Sequence, residues 1–225
     1  MPIKYEWILF LDADEVATIE FEKALKKAVT EAGEDIAGFY CCWKMMLEDT
    51  WLKNCDNFPK WQFRVIRLGR AKFTDFGHGQ KEGTVDGRIA YIKEPYLHYS
   101  FSKGWVEWIE RQNRYSSLEA CDRIEKKPPF KNIFSGNSSI RNPALKSRLS
   151  DVPGWPFLRF FQAYFINLGF MEGAPGFIYC INMAYHEFLI SIKMREIRRR
   201  KLKKNLFSRK VLKNPMPANK SELIN

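Results

Sequence analysis

The sequence predicts an α/β fold that ends in C-terminal amphipathic helices, and three observations support this prediction. Residues 7–11 form an uninterrupted apolar run, W-I-L-F-L, which is typical of a strand buried on both faces of a parallel sheet. Residues 60–68 alternate apolar and polar side chains, which indicates a strand with one polar, basic face. Residues 154–170 and 176–194 are aromatic, mostly apolar stretches of helical length, but polar side chains interrupt both, so neither is suited to span a membrane.

Length and composition predict one domain with an appendage. The 225 residues, of which 45% are hydrophobic, are sufficient to bury one core. The net charge of +11 is concentrated between residues 193 and 213, where eleven basic side chains stand against Glu196 alone. We therefore expect a partner that recognises a basic surface to contact this C-terminal segment and not the rest of the chain.

The cysteines and the first residues predict a cytoplasmic location. The five cysteines are an odd number and form no C-x-x-C spacing, which argues against a disulfide framework or a zinc site and favours a reducing compartment. The first residues lack the pattern of a signal peptide, and no apolar run reaches the roughly 18 residues of a spanning helix. We expect a cytoplasmic protein that associates peripherally with the inner face of the cell membrane.

Local signals place the elements that follow the first strand. Thr18 is suited to cap a helix whose first turn carries Glu20 and Glu22, where the helix dipole favours acidic side chains. Residues 37–48 are rich in aromatic and sulfur side chains and predict a second strand.

Glycine and proline mark the remaining boundaries. Residues 73–83 contain too many glycines for a regular element and are expected to form a loop. Asp86-Gly87 predicts a tight hairpin turn, and residues 103–126 predict a helix that ends before two prolines. The expected organisation is a domain of residues 1–127, a linker of residues 128–152, a helical membrane-associating extension of residues 153–213 and a disordered end of residues 214–225.

Asp12 and Asp14 directly follow the first predicted strand. In open α/β sheets ligands bind beyond the carboxyl ends of strands, so the two carboxylates lie where a site is expected. Carboxylates two residues apart can share one hard cation, which commonly bridges protein oxygens to substrate phosphates. The pair therefore indicates a metal-bound diphosphate, although acidic residues after a strand also occur in ordinary loops and helix caps. Arg64 and Arg67 either bind this phosphate or only solvate one face of their strand.

Six stretches of the chain occur in the order found in one enzyme family. They are W-I-L-F-L-D-A-D-E, P-K-W-Q-F-R-V-I-R, F-G-H-G-Q-K-E-G, E-P-Y-L-H-Y-S-F-S-K-G, N-R-Y-S-S-L-E-A and N-L-G-F-M-E-G-A-P-G-F. Together they resemble the family-2 glycosyltransferases, in particular the branch that includes lipopolysaccharide-core transferases. The resemblance implies the GT-A fold, a Rossmann-like mixed sheet, and an inverting transfer of sugar from a nucleotide-sugar donor to an envelope saccharide or a lipid-linked acceptor.

The resemblance also assigns roles to individual residues. Asp12 and Asp14 match the family's D-x-D motif, which holds Mn²⁺ or Mg²⁺ against the donor diphosphate. Glu82 lies where the family places the carboxylate that deprotonates the acceptor hydroxyl. His98 matches a family histidine that can complete the metal shell. The ordinary alternatives are a solvated loop carboxylate for Glu82 and a buried core histidine for His98.

One feature departs from the family pattern. A βαβ unit takes about 30 residues or more, and the family places such a nucleoside-binding half before its D-x-D strand, whereas here only eleven residues precede Asp12. We therefore expect a truncated GT-A domain that keeps the metal and acceptor sides and lacks the nucleoside cradle. Little or no transferase activity is expected of this polypeptide by itself.

The C-terminal stretches predict an anionic membrane surface as a partner. Their apolar faces can dip into the headgroup boundary while Lys and Arg side chains meet acidic lipids. Nucleic acid is not expected as a partner, because the aromatic and basic residues are not interleaved as stacking platforms require.

Two other functions remain open at this level. The strand followed by D-x-D-x-V resembles the nucleophile motif of haloacid-dehalogenase-type phosphatases, with Asp12 as the nucleophile. The chain has no Gly-Asp or Asp-Asp pair to supply that family's later acidic motif. The other alternative is a non-catalytic, membrane-associated scaffold.

Overall fold

The computed structural model describes residues 5–76, 79–125, 127–152 and 154–202. The chain divides into two compact units. The first unit comprises the chain up to Trp105 together with Ala163–Ile178, and the second comprises Val106–Gln162 and the chain from Tyr179 onwards. The expected α/β class, with a mixed sheet and C-terminal helices, is confirmed. The predicted disordered end lies outside the described residues.

The first unit is built on a mixed sheet with the strand order β1-β5-β3-β8-β2, in which β4 also pairs with β3. Strands β3 and β8 are parallel, and the other pairs in this sheet are antiparallel. A separate antiparallel pair consists of β6 and β7. The strands are β1 (Trp7–Leu9), β2 (Glu15–Val16), β3 (Ile36–Leu47), β4 (Thr50–Trp51), β5 (Trp61–Arg67), β6 (Ala71–Phe76), β7 (Gly79–Val85) and β8 (Arg88–His98).

The apolar run at residues 7–11 contains β1, Trp7–Leu9, and side chains pack on both of its faces. Trp7 and Leu9 pack on one side of the sheet, whereas Ile8 packs on the other with residues of β6 and β7. Because side chains alternate along a strand, two covered faces explain why apolar residues follow one another here. The predicted parallel surroundings of this strand were wrong, because its neighbour β5 is antiparallel to it.

Helix α1 (Ile19–Thr30) covers the first face of the sheet. As predicted, Thr18 caps it, since the Thr18 hydroxyl accepts a hydrogen bond from the Phe21 amide at 3.1 Å. Phe21 is fully buried and meets the Tyr96 ring edge-on at 5.5 Å between centroids. The core on this side consists of Phe21, Ile36, Phe39, Cys41, Val65, Ile92 and Tyr96.

Two predictions for residues 73–89 were wrong. The glycine-rich segment is not a loop but supplies most of the β6–β7 pair, which packs against the second face of the sheet through Phe73 and Val85. Asp86-Gly87 joins β7 to β8 without pairing them, because β8 enters the mixed sheet instead. Gly87 is needed there for a close approach: its φ is +131°, and a Cβ atom would lie 2.6 Å from the Asp35 carbonyl oxygen.

The helices of the second unit are largely those that the sequence predicts. Among the described residues, no helix combines the length and the apolar composition needed to cross a bilayer. The segment predicted to be a linker contains α3, and the predicted domain boundaries stay predictions. The helices are α2 (Trp105–Glu125), α3 (Ser138–Leu149), α4 (Trp155–Phe161) and α5 (Gly173–Lys201), of which α5 begins in the first unit.

A buried ion pair connects α2 to α5. Arg123 donates to both carboxylate oxygens of Glu187, at 2.8 and 3.0 Å, and the Trp155 indole donates to the same carboxylate at 3.0 Å. Burial alone would lower the pKa of Arg123, but Glu187 and Glu119 outweigh it and raise this pKa. A buried charge is tolerated when it is paired in this way.

Lys193 of α5 is also buried, but its ammonium meets neutral oxygens. It donates to the carbonyl and side-chain oxygens of Asn113 and to the hydroxyls of Ser116 and Ser117, at 2.5 to 2.8 Å. Burial lowers the pKa of Lys193 to about 8, although Glu196 acts in the opposite direction. The unfolded chain therefore keeps this proton up to a higher pH than the folded chain does.

This difference predicts a pH dependence of stability. Between pH 8 and pH 10.5 the unfolded state binds the Lys193 proton and the folded state does not, so the contribution of Lys193 to the free energy of unfolding should rise with pH. We expect a slope of up to about 1 kcal/mol per pH unit that Lys193→Met removes, measured by urea unfolding across this range. Lys201→Met, at an exposed position of the same helix, should leave the slope unchanged. Equal slopes for wild type and Lys193→Met would contradict the prediction.

Candidate functional site

A tight turn at the carboxyl end of β1 carries three acidic residues. The Glu15 amide donates to the Asp12 carbonyl at 3.0 Å, and the Asp12 amide donates to the Glu15 carboxylate at 2.9 Å. Strand β2 then pairs with the end of β8, with Glu15 opposite His98. This pairing brings the acidic turn and the last residues of β8 together, although they are far apart in the sequence.

Arg64 lies under this turn and holds two of its carboxylates. Its guanidinium donates to Asp12 at 2.7 Å and to Glu15 at 2.5 Å. The Tyr96 hydroxyl donates to Glu15 at 3.1 Å. The Arg64 and Glu15 side chains are only 9% and 1% exposed, whereas that of Asp12 is 64% exposed. Arg64 and Glu15 thus form a buried ion pair, and Arg64 orients the accessible carboxylate of Asp12.

Opposing effects set the pKa values in this cluster. Burial alone would lower the pKa of Arg64, but Tyr96, Asp12 and Glu15 outweigh it and raise this pKa, so the guanidinium stays charged. Burial and the neighbouring Glu15 raise the pKa of Tyr96, which keeps its hydroxyl protonated. The Tyr96 hydroxyl can therefore act as a donor to Glu15 at any physiological pH.

Asp14 and His98 face each other beside this cluster. The His98 Nε2 atom lies 3.6 Å from an Asp14 carboxylate oxygen, and both side chains are largely buried. The Tyr99 amide donates to the Asp14 carbonyl at 2.7 Å. The other ring nitrogen of His98, Nδ1, is buried and has no hydrogen-bond partner among the residues described. A proton on Nε2, directed at Asp14, is therefore the tautomer that these surroundings favour.

Hard donors of the kind that Mg²⁺ and Mn²⁺ prefer are present at this turn. In the described part of the chain no three His, Cys, Asp or Glu side chains are grouped so that they could enclose a metal. Mg²⁺, however, is usually held by one or two carboxylates together with substrate phosphates. Of the two predicted carboxylates, that of Asp12 is 64% exposed and that of Asp14 is 16% exposed, so Asp12 is the more accessible to a cation shared with a substrate. A metal-bound histidine usually donates its other N–H to an acceptor, and the described residues offer none to His98.

Arg67 is not brought to this cluster. It lies opposite Trp7 at the start of β1 and pairs with Glu6 at 2.5 Å. Its guanidinium also donates to the carbonyls of Gly33 and Glu34 and lies over the Trp7 ring. It lies three residue steps along β5 from Arg64, or about 10 Å.

Glu82 lies on the opposite side of the sheet from Arg64. It is an exposed residue of β7, where it pairs with Phe73 of β6, and its carboxylate accepts a hydrogen bond from the Tyr40 hydroxyl. Burial and this contact raise the pKa of Tyr40 to about 12. Phe73 meets Phe10, two residues before Asp12, at 5.0 Å between ring centroids. Phe10 therefore packs on the Glu82 side of the sheet, two residues before the acidic turn begins.

The sequence patterns assign no role to three residues of these clusters: Glu15, Tyr96 and Tyr40. Tyr96 precedes His98 by two positions on β8, so the strand period could have indicated that the two share a face. No local signal could have paired Tyr40 with Glu82.

The chain is similar to uncharacterized glycosyltransferases of Rickettsia typhi, Rickettsia conorii and Rickettsia felis. The identities are 25%, 24% and 25%, over 85% of this chain and 63%, 64% and 64% of those proteins. The chain thus spans just under two thirds of the length of these relatives. No family model and no solved structure matches it. The names of the relatives indicate a glycosyltransferase and favour neither the phosphatase nor the scaffold alternative.

Proposed function

We propose that the chain carries the metal and acceptor sides of an inverting glycosyltransferase. The donor would be a nucleotide-sugar, and the acceptor a saccharide of the cell envelope or a lipid-linked saccharide. The observation that supports this proposal is the pairing of β2 with β8, which sets Asp14 against His98 beside the turn that carries Asp12. Ligands of α/β sheets bind at such an edge.

On the donor side, Asp12 and Asp14 would hold Mn²⁺ or Mg²⁺ against the diphosphate. The bound cation would neutralise the charge that develops on the departing nucleoside diphosphate. Arg64, fixed by Glu15 and Tyr96, orients Asp12 and keeps a positive charge behind it. His98 would orient the Asp14 carboxylate through its Nε2 proton, so its predicted role as a metal ligand forms no part of this proposal. Arg67 is bound elsewhere, so its predicted contact with the donor forms no part of this proposal.

On the acceptor side, Glu82 would act as the general base. Its carboxylate takes the proton of the acceptor hydroxyl while the hydroxyl oxygen attacks the anomeric carbon of the donor. The bond between that carbon and the diphosphate oxygen breaks on the opposite face, which inverts the anomeric configuration. The Tyr40 hydroxyl orients the carboxylate through its hydrogen bond.

Titration of the chain with Mn²⁺ in the presence of inorganic pyrophosphate tests the donor side. Pyrophosphate presents the diphosphate without sugar or nucleoside, so the titration does not depend on the identity of the donor. We expect Mn²⁺ to bind more tightly with pyrophosphate than without it, because the two share the cation. Equal or absent binding under both conditions contradicts the proposal.

The proposal includes peripheral attachment to an anionic membrane, on the cytoplasmic side. One side of α5 exposes an apolar stripe, and the opposite side of the helix is buried through Cys180, Ile190 and Met194. A basic run follows the stripe in the sequence, and it can contact acidic headgroups. The stripe consists of Ile181, Tyr185, Phe188 and Ile192, which recur at helical spacing.

Vesicle flotation tests this attachment. The chain is expected to float with vesicles of phosphatidylglycerol and phosphatidylcholine and to float less with phosphatidylcholine alone. Replacing Ile181 and Phe188 by Ser should lower binding about tenfold or more, since each side chain would otherwise bury apolar surface in the lipid. Val106→Ser, at an exposed apolar position on α2, is the matched control and should bind as wild type does. If the double variant binds as strongly as wild type, the stripe does not contact the lipid and this part of the proposal is wrong.

A further inference from the structure

Three aromatic side chains, Trp61, Tyr91 and Tyr40, form what we call the aromatic platform on the Glu82 side of the sheet. Strands β5 and β8 lie on either side of β3, with Trp61 opposite Cys42 and Tyr91 opposite Tyr40. Paired residues and residues two apart share a face, so all three rings project to the same side. Because Cys42 is small, the rings of Trp61 and Tyr91 meet above it.

The platform is rigid and accessible. Trp61 and Tyr91 are perpendicular, at 84°, with centroids 4.9 Å apart, and Tyr91 stacks on Tyr40 at 5.2 Å. Trp61 is 37% exposed and Tyr91 is 55% exposed. Each ring is held by its neighbour, so a ligand can use this surface with little further loss of side-chain entropy.

The chemistry at the edge of the platform limits what can cover it. Tyr40 is both part of the platform and the hydrogen-bond donor to the exposed carboxylate of Glu82. A lipid chain or an apolar protein surface laid over the rings would remove water from this carboxylate without replacing its hydrogen bonds, which is unfavourable. A pyranose ring satisfies both requirements, because one ring face presents C–H groups to the aromatic rings while its hydroxyls donate to a carboxylate.

We propose that the aromatic platform binds a pyranose ring of the acceptor saccharide and so presents a hydroxyl of that saccharide to Glu82. This inference rests on the proposed function, because it names the acceptor subsite of the same reaction. Trp61 and Tyr91 supply the binding surface, and Glu82 supplies the hydrogen-bond acceptor beside it. The subsite should favour pyranoses that have several axial C–H groups on one face, such as β-linked glucosyl residues, over open-chain polyols.

Saturation-transfer difference NMR on the full chain tests this subsite, with cellobiose as the probe and mannitol as an open-chain comparison. We expect transfer to the ring C–H protons of cellobiose and much less to mannitol. Trp61→Ala and Tyr91→Ser should each lower the apparent cellobiose affinity about threefold to tenfold, because one aromatic contact is lost. Tyr91→Phe, which keeps the ring, and Tyr5→Ser, at an exposed tyrosine of the same unit, should bind as wild type does.

Three results would overturn the inference: no transfer to cellobiose by the wild-type chain, equal transfer to mannitol, or unchanged affinity in both Trp61→Ala and Tyr91→Ser. The experiment contains neither donor nor cation. If Mn²⁺ and pyrophosphate fail to bind but cellobiose binds to the platform, the transferase proposal fails, and the platform stands as a saccharide-binding surface without its acceptor role. If Mn²⁺ and pyrophosphate bind but cellobiose does not, only the proposed saccharide subsite is contradicted.

Discussion

Asp14→Asn is expected to weaken the binding of Mn²⁺ with pyrophosphate by about tenfold or more, because it removes an anionic ligand from a site that has few. Asp12→Asn should act in the same direction, since Asp12 offers the more accessible carboxylate. Both substitutions keep the size and shape of the side chain. Isothermal titration with Mn²⁺ at constant pyrophosphate measures the effect.

Asp86→Asn provides the matched control for this titration. Asp86 is a carboxylate of the same unit, and its side chain is 83% exposed, in the turn between β7 and β8. It should leave Mn²⁺ affinity unchanged if binding depends on the turn after β1 and not on general negative charge. If Asp86→Asn weakens binding as much as Asp14→Asn does, the cation does not bind at the predicted site.

Arg64→Met is expected to lower the free energy of unfolding by about 3–5 kcal/mol, because it leaves the Glu15 carboxylate buried without its cation. Burial of an unpaired charge is much less favourable than burial of the pair. Urea unfolding gives the change in stability. Hydrogen exchange of the β3 and β5 amides shows whether the first unit is the one that loosens.

A second substitution separates the charge effect from lost packing. Glu15→Gln in the Arg64→Met background removes the unpaired charge and should recover a large part of the lost stability. Arg88→Met is the control, because the Arg88–Asp35 pair is exposed and its loss should leave the free energy of unfolding nearly unchanged. If Arg64→Met lowers the free energy of unfolding no more than Arg88→Met does, the buried pair does not stabilise the fold.

Local patterns in the sequence predicted most of the individual elements. The Thr18 cap and the apolar face of α1, the alternation along β5 and the helical period of α2 each depend on residues a few positions apart. Such signals are contained in the chain itself, because capping and side-chain alternation are properties of a single element. The position of Asp12 and Asp14 shortly after β1 could be predicted in the same way.

Local patterns in the sequence do not predict which distant segments pair as strands. The glycine-rich residues of β7 have weak strand signals of their own, and they become a strand because β6 supplies the hydrogen bonds and the sheet supplies an apolar surface for Phe73 and Val85. The Asp86-Gly87 turn predicts a hairpin locally. The approach of the Asp35 carbonyl decides instead that the chain enters the mixed sheet.

Residue patterns alone predict the class of fold, an apolar strand shortly before Asp12 and the helical nature of the C-terminal region. Arg64 and Arg67 lie on the same strand and carry the same charge, and the difference between their partners is visible in the tertiary structure alone. One is buried under Asp12, 52 positions away in the sequence, whereas the other is bound at the far end of β1. The physical reason is that ion pairs and ring contacts depend on which strands lie side by side, and no periodicity within one strand carries that information.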